Sequence, residues 1–105
     1  MIKIVNVKSF RGELIYIGRC CGGFKGSVLG NVFKIGVDGN RDEVIRKYKV
    51  WLWNEYKKGG VVKSEIDRLV KMNREGKDLV LGCWCVPLDC HGFVIRDLIN
   101  YLSKL

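Results

Sequence analysis

The chain has 105 residues, of which 48% are hydrophobic and 29% charged, with five Cys, one His and one Pro. That length fits a single domain, residues 1–105, with a core of its own, and no apolar run approaches the ~20 residues of a membrane-spanning helix. Nineteen basic against 11 acidic side chains give a net charge of +8, which favours anionic partners such as a nucleotide or nucleic acid and gives no reason to expect a membrane partner.

The basic excess is uneven. Residues 1–40 carry six basic and two acidic groups, residues 41–75 ten and six, and residues 76–105 three and three. The start, Met1-Ile2-Lys3-Ile4-Val5, lacks the long apolar middle and cleavage site of a secretory signal, so a cytoplasmic, intracellular location is expected. A reducing compartment keeps thiols free, and clustered cysteines there read as metal-binding, catalytic or buried. The absence of Gln, Thr and Ala, with abundant Lys, Ile and Val, is compatible with a hot or AT-rich source, where a bridge from Cys20 or Cys21 to the later cysteines stays open.

In chain order, Ile2 to Val7 and Glu13 to Ile17 have β-type patterns. They form a hairpin or, given the near-continuous apolar second run, that second run is a central strand of a mixed sheet. Residues 18–31 contain five glycines and read as a loop, with Arg19, Lys25, Ser27 and Asn31 as donors beside backbone that can approach a phosphate. Neither a Walker motif nor the dinucleotide glycine fingerprint is present. Val32 to Val37 reads as a further short strand, ended by the turn sequence Asp38-Gly39-Asn40.

Asn40 with Glu43 has capping-box spacing, and Val44, Ile45, Tyr48, Leu52 and Tyr56 predict an amphipathic helix over 41–57. Trp51, Trp53 and Tyr56 at this spacing are expected to pack, with base stacking as the functional alternative. Gly59-Gly60 ends that helix, and Ser64 with Asp67 predicts a second helix over about 64–73. Asp78 to Trp84 reads as a buried strand, and Val94, Ile95, Leu98, Ile99 and Leu102 predict a helix over 91–103. The order predicts an α/β domain, Rossmann-like, with a small mixed or parallel sheet flanked by about three helices.

Between the last strand and helix lies Gly82-Cys83-Trp84-Cys85-Val86-Pro87-Leu88-Asp89-Cys90-His91-Gly92, with three cysteines, the histidine and the proline. Asp89 as N-cap would put Cys90 and His91 in the first helical turn, where the dipole lowers a thiol's pKa and free amides bind anions. Cys90 is then the candidate nucleophile and His91 its proton carrier, with Arg19, Gly30, Asn31, Arg41 and Gly92 the ligand-binding set. A second chemistry is zinc held by Cys83, Cys85, Cys90 and His91, although C-x-C-x4-C-H departs from paired knuckles. A zinc deaminase does not fit, since no His precedes position 91. Packing alone is the third reading of Cys83 and Cys85.

Tyr16-Ile17-Gly18-Arg19, Leu29-Gly30-Asn31, Phe33, Arg41, Glu43, Tyr48, Gly82-Cys83-Trp84-Cys85, Pro87 and Cys90-His91-Gly92 together resemble the family called domain of unknown function 4326, from prokaryotes and their viruses. The resemblance covers roughly positions 14–102 and implies a shared fold and site, with the reaction left open. The chain departs from the family pattern at Val32, where Pro is usual, at Phe93, where an acid is usual, and in the inserted Cys20-Cys21-Gly22-Gly23. The expected function is binding of, with or without catalysis on, a phosphate-bearing ligand such as a nucleotide or nucleic-acid component. The alternative is a noncatalytic zinc-stabilised module that binds nucleic acid or protein.

Overall fold

In the computed structural model, which describes residues 1–19 and 23–105, three strands and three helices alternate as strand, strand, helix, helix, strand, helix. They are β1 (Ile2–Asn6), β2 (Ile15–Tyr16), α1 (Arg41–Lys58), α2 (Val61–Arg74), β3 (Leu79–Cys83) and α3 (His91–Ser103). The sheet is wholly parallel in the order β1-β3-β2, with Ile2 opposite Leu79, Asn6 opposite Cys83 and Tyr16 opposite Gly82. The first two strands therefore form no hairpin, and the second is an edge strand. The last strand is central because it is the most apolar, and a strand with neighbours on both sides has to be.

Leu79, Leu81 and Cys83 alternate along β3 and are buried in the core with Ile66 and Leu69 of α2 and Ile95 and Ile99 of α3. On the opposite side Gly82 lies against Leu14 and Val7, which a Cβ there would meet at 2.8 and 2.9 Å. Asn40 caps α1 as its spacing predicts: its side chain accepts from the Glu43 amide at 2.9 Å, and Glu43 accepts from the Asn40 amide at 3.0 Å. Tyr56 of α1 donates to Asp67 of α2 at 2.6 Å and joins the two helices, and Lys63 donates to the same carboxylate at 2.6 Å from within α2. Trp51, Trp53 and Tyr56 are half-buried against the core, as the packing reading expects.

Two expectations about the elements need correction. Helix α2 starts at Val61, immediately after Gly59 and Gly60 at φ +84° and +104°, and Ser64 lies in its first turn, its amide donating to the Gly60 carbonyl. Two successive glycines with positive φ reverse the chain so tightly that no polar cap is needed. Residues 32–37 are not a strand. Apart from a single bridge between Ile35 and Gly39 they pair with nothing among the described residues, and Val32, Ile35 and Val37 are exposed, so their β-branched character reflects no sheet. No described helix is long and apolar enough to cross a membrane.

Candidate functional site

The carboxyl ends of β2 and β3 open into a cleft of about 750 Å³. Parallel strands all end on the same side, and the loops beyond them face one another there, which is why open α/β sheets bind ligands at that edge. Arg19 and Asn31 enter from the loop after β2, Phe33, Lys34 and Ile35 from the segment before α1, and Arg41 from its first turn. Cys83, Trp84, Cys85, Asp89, Cys90 and His91 close the other wall. Of the residues singled out from sequence, Arg19, Asn31, Arg41, Cys83, Cys85, Cys90 and His91 thus meet in one cavity. Gly30 and Gly92 are buried and do not line it.

Each wall is fixed by polar contacts made across the sheet. Asn6, at the end of β1, donates through Nδ2 to the carbonyls of Trp84 at 3.2 Å and Val86 at 2.8 Å, which pins the loop after β3. Trp84 Nε1 donates to the Tyr16 hydroxyl at 2.8 Å, and that hydroxyl donates to the Arg19 carbonyl. Phe24 stacks on Tyr16 with ring centroids 4.6 Å apart and meets Trp84 edge-on. The Arg41 guanidinium donates to the Asp89 carbonyl at 2.8 Å and ties α1 to the far end of the cysteine loop. Tyr48, fully buried beside the site, donates to the Leu29 carbonyl at 2.6 Å and so holds the glycine-rich loop down. The Asn31 side chain accepts from the Phe33 amide at 2.9 Å in a local turn.

The start of α3 differs from expectation in a way that changes its chemistry. The N-cap is Cys90, not Asp89, and its sulfur accepts from the Gly92 amide at 3.1 Å, while its carbonyl accepts from the Phe93 amide at 3.2 Å. Amides that would hold an anion are thereby occupied by the cap. Gly92 serves packing: a Cβ there would lie 3.0 Å from Ile17 and 3.1 Å from Ile4. His91 Nε2 lies 2.7 Å from the Ile17 carbonyl, which can only accept, so the proton is on Nε2 and Nδ1 carries a lone pair, 4.0 Å from Cys90 Sγ. Burial lowers the His91 pKa, with the charge of Arg19 acting in the same direction against the rise caused by Ile17, so the ring is neutral.

Among the three sulfurs, the expected lowering at Cys90 is reversed. Hydrogen bonds from Cys90 to Cys83 and Cys85, together with burial, push the Cys90 thiol well above its usual range. Cys83 is lowered to about 6 and Cys85 to about 5, in both cases first by the Cys90 thiol. Cys90 has one S–H and cannot serve both fully, and two adjacent thiolates repel one another. Burial opposes both shifts, but only Cys85 is also favoured by cationic side chains: the hydrogen bond and charge of Arg41 and the charge of Arg19. Cys83 is lowered further by the backbone amides of Cys85 and Val86, and Cys85, half-buried and open to the cleft, is the sulfur whose thiolate form the two arginines favour. Cys83 and Cys90 are buried at 1% and 2% exposure, with their Sγ atoms 3.0 Å apart.

For the zinc set named from sequence, His91 directs its protonated Nε2 at Ile17, and Cys90 Sγ is held by the Gly92 amide. Among the described residues no group of three or more His, Cys, Asp or Glu side chains is arranged to hold a metal ion. Cys20 and Cys21, the candidates for a bridge to the later cluster, lie outside the described residues.

A family model described as a domain of unknown function (DUF4326) matches residues 5–101. The chain belongs to this family. It is also 32% identical over 81 residues to a protein of Enterobacteria phage T4, described as an uncharacterized 12.4 kDa protein in the nrdA-td intergenic region; the match covers 76% of this chain and 67% of the phage protein. No solved structure matches the chain. The DUF4326 match runs from the last part of β1 to the last part of α3 and encloses every residue that lines the cleft.

Asn6, Phe24 and Trp84 are among the residues of the site that sequence reasoning did not assign to it. Asn6 had a readable signal, an amide at the carboxyl end of a strand, which is where this fold puts its ligands. The half-exposed Trp84 had none, because a Trp between two cysteines reads equally well as a core plug.

Proposed function

We propose that the cleft binds a phosphate-bearing ligand, such as a nucleotide or a nucleic-acid component, with Arg19 and Arg41 on the phosphate. The observation that carries this reading is the convergence of two guanidiniums, 22 positions apart in sequence, on one cavity at the carboxyl edge of a parallel sheet. Among the described residues neither Arg19 nor Arg41 pairs with a carboxylate. Guanidinium forks match phosphate oxygens, and a cleft of this volume falls within the range of small-ligand sites. Phe33, Tyr16 and Trp84 supply aromatic surface for the uncharged part of the ligand. The amides of α3 take no part in this reading, and Cys85 rather than Cys90 is the sulfur beside the ligand. The reading keeps the intracellular setting expected from the sequence.

A thermal-shift series with inorganic phosphate, a nucleoside monophosphate, a nucleoside triphosphate and a short oligonucleotide tests it. At ten times Kd a ligand stabilises the folded state by about 1.4 kcal/mol, which raises Tm by about 6–11 °C in a domain of this size. We expect at least one phosphorylated ligand to do so, its dephosphorylated nucleoside to fail, and Arg41→Ala to remove most of the effect. A flat response to all four at millimolar concentration, or an equal response in Arg41→Ala, contradicts the reading.

A further inference from the structure

The three sulfurs form a close set that phosphate binding does not use. Cys83 Sγ and Cys90 Sγ are in contact at 3.0 Å, and Cys85, two positions from Cys83, lines the same cavity as both. All three line the cleft, but only Cys85 is half-exposed there, whereas Cys83 and Cys90 are almost fully buried in its wall. An accessible thiol backed by a second thiol within reach is the arrangement that turns a sulfenic acid into a disulfide before it oxidises further. Arg41 and Arg19 add positive charge beside the accessible sulfur, which favours its attack and steadies the anion that leaves.

We infer that Cys85 is an oxidation site for hydroperoxides, with Cys90 as its resolving thiol. The Cys85 sulfur attacks one peroxide oxygen, the O–O bond breaks, and the other oxygen departs as hydroxide or alkoxide and takes up a proton. This leaves Cys85 as a sulfenic acid. Cys90 sulfur then attacks Cys85 sulfur, the S–S bond forms, the S–O bond breaks, and hydroxide leaves to become water with the proton that Cys90 gives up. His91 Nδ1, which carries a lone pair 4.0 Å from Cys90 Sγ, is positioned to take that proton in transit. In sum two thiols are oxidised by two electrons, and one hydrogen peroxide is reduced to two waters. Cys83, in contact with Cys90, can exchange into the bond by attacking the Cys90 sulfur and releasing Cys85 as a thiolate.

The test treats the full chain, with all five cysteines, with a small excess of hydrogen peroxide and maps its peptides without reduction. Cys85→Ser and Cys90→Ser are treated alongside; the latter keeps a hydroxyl able to cap α3. The wild type should lose two hydrogens into a disulfide that contains Cys90, joined to Cys85 or, after exchange, to Cys83. Cys90→Ser should accumulate a sulfenic acid on Cys85 that dimedone traps, and Cys85→Ser should slow disulfide formation roughly tenfold or more. A disulfide that omits Cys90, such as Cys85 with Cys20 or Cys21, overturns the inference. So does a native mass spectrum with a metal ion on protein whose three cysteines then resist peroxide. Should Cys90→Ser fail to fold, alkylation order in the wild type decides: Cys85 first supports the assignment, and Cys83 or Cys90 first overturns it. The inference does not rest on the phosphate reading, which is read from ligand titration of reduced protein.

Discussion

Cys85 and Cys90 show how far a residue's chemistry depends on neighbours that local sequence does not name. A cysteine at a helix start reads as activated, yet Cys90 closes the helix with its own sulfur, is almost fully buried and lies with that sulfur 3.0 Å from Cys83 Sγ. Cys85 reads as a buried strand-end residue, yet Arg41 comes from 44 positions away to stand beside it. No spacing rule reports such a distant charge. His91 is likewise defined by a distant partner, the Ile17 carbonyl. Its consequence for stability has a definite sign. Burial holds the folded-state pKa below the ordinary 6.5, so the unfolded chain binds more protons as pH falls through that value, and stability present above it is lost below. Thermal unfolding followed from pH 7.5 to 5.5 should therefore show a falling Tm, and His91→Gln, which can still donate to Ile17, should flatten that fall.

At the scale of elements, what is local was legible. The Asn40–Glu43 capping box, the apolar run of β3 and the helical stripe of α3 are each written within a few residues, and each forms where the sequence puts it. What depends on long-range pairing was not. The strand order β1-β3-β2 follows from which strand is buried most completely, and the β-branched segment 32–37 stays out of the sheet. Gly82 is the clearest element-scale constraint, because its missing side chain lets Leu14 and Val7 cover the strand immediately before the cysteine loop. A methyl group there overlaps Leu14 at 2.8 Å and Val7 at 2.9 Å. Gly82→Ala should cost about 1–3 kcal/mol, read as a lower urea midpoint with an unchanged slope. An unchanged midpoint would show that these two side chains give way freely and that the packing described is not needed.

Over the whole molecule, a small parallel sheet brings the ends of distant segments to one edge, and the site is the product of that convergence. The early Gly-Arg loop, the start of α1 and the cysteine loop are far apart in sequence, and the cleft exists only where β2 and β3 lie side by side. The sequence told which loops were rich in chemistry but not which amides would remain free, so the proposed anion contact passes from the start of α3 to the two arginines. The basic excess in residues 1–75 agrees with this, since both arginines belong to that part of the chain. The most direct test is a 15N-correlated NMR titration of the reduced protein with the phosphorylated ligand that gives the largest thermal shift. The account predicts that the amides of Gly18, Arg19, Asn31, Phe33 and Cys85 and the Trp84 indole N–H move together with one saturating Kd. Shifts confined to the exposed outer faces of the helices, with those six signals still, would contradict it.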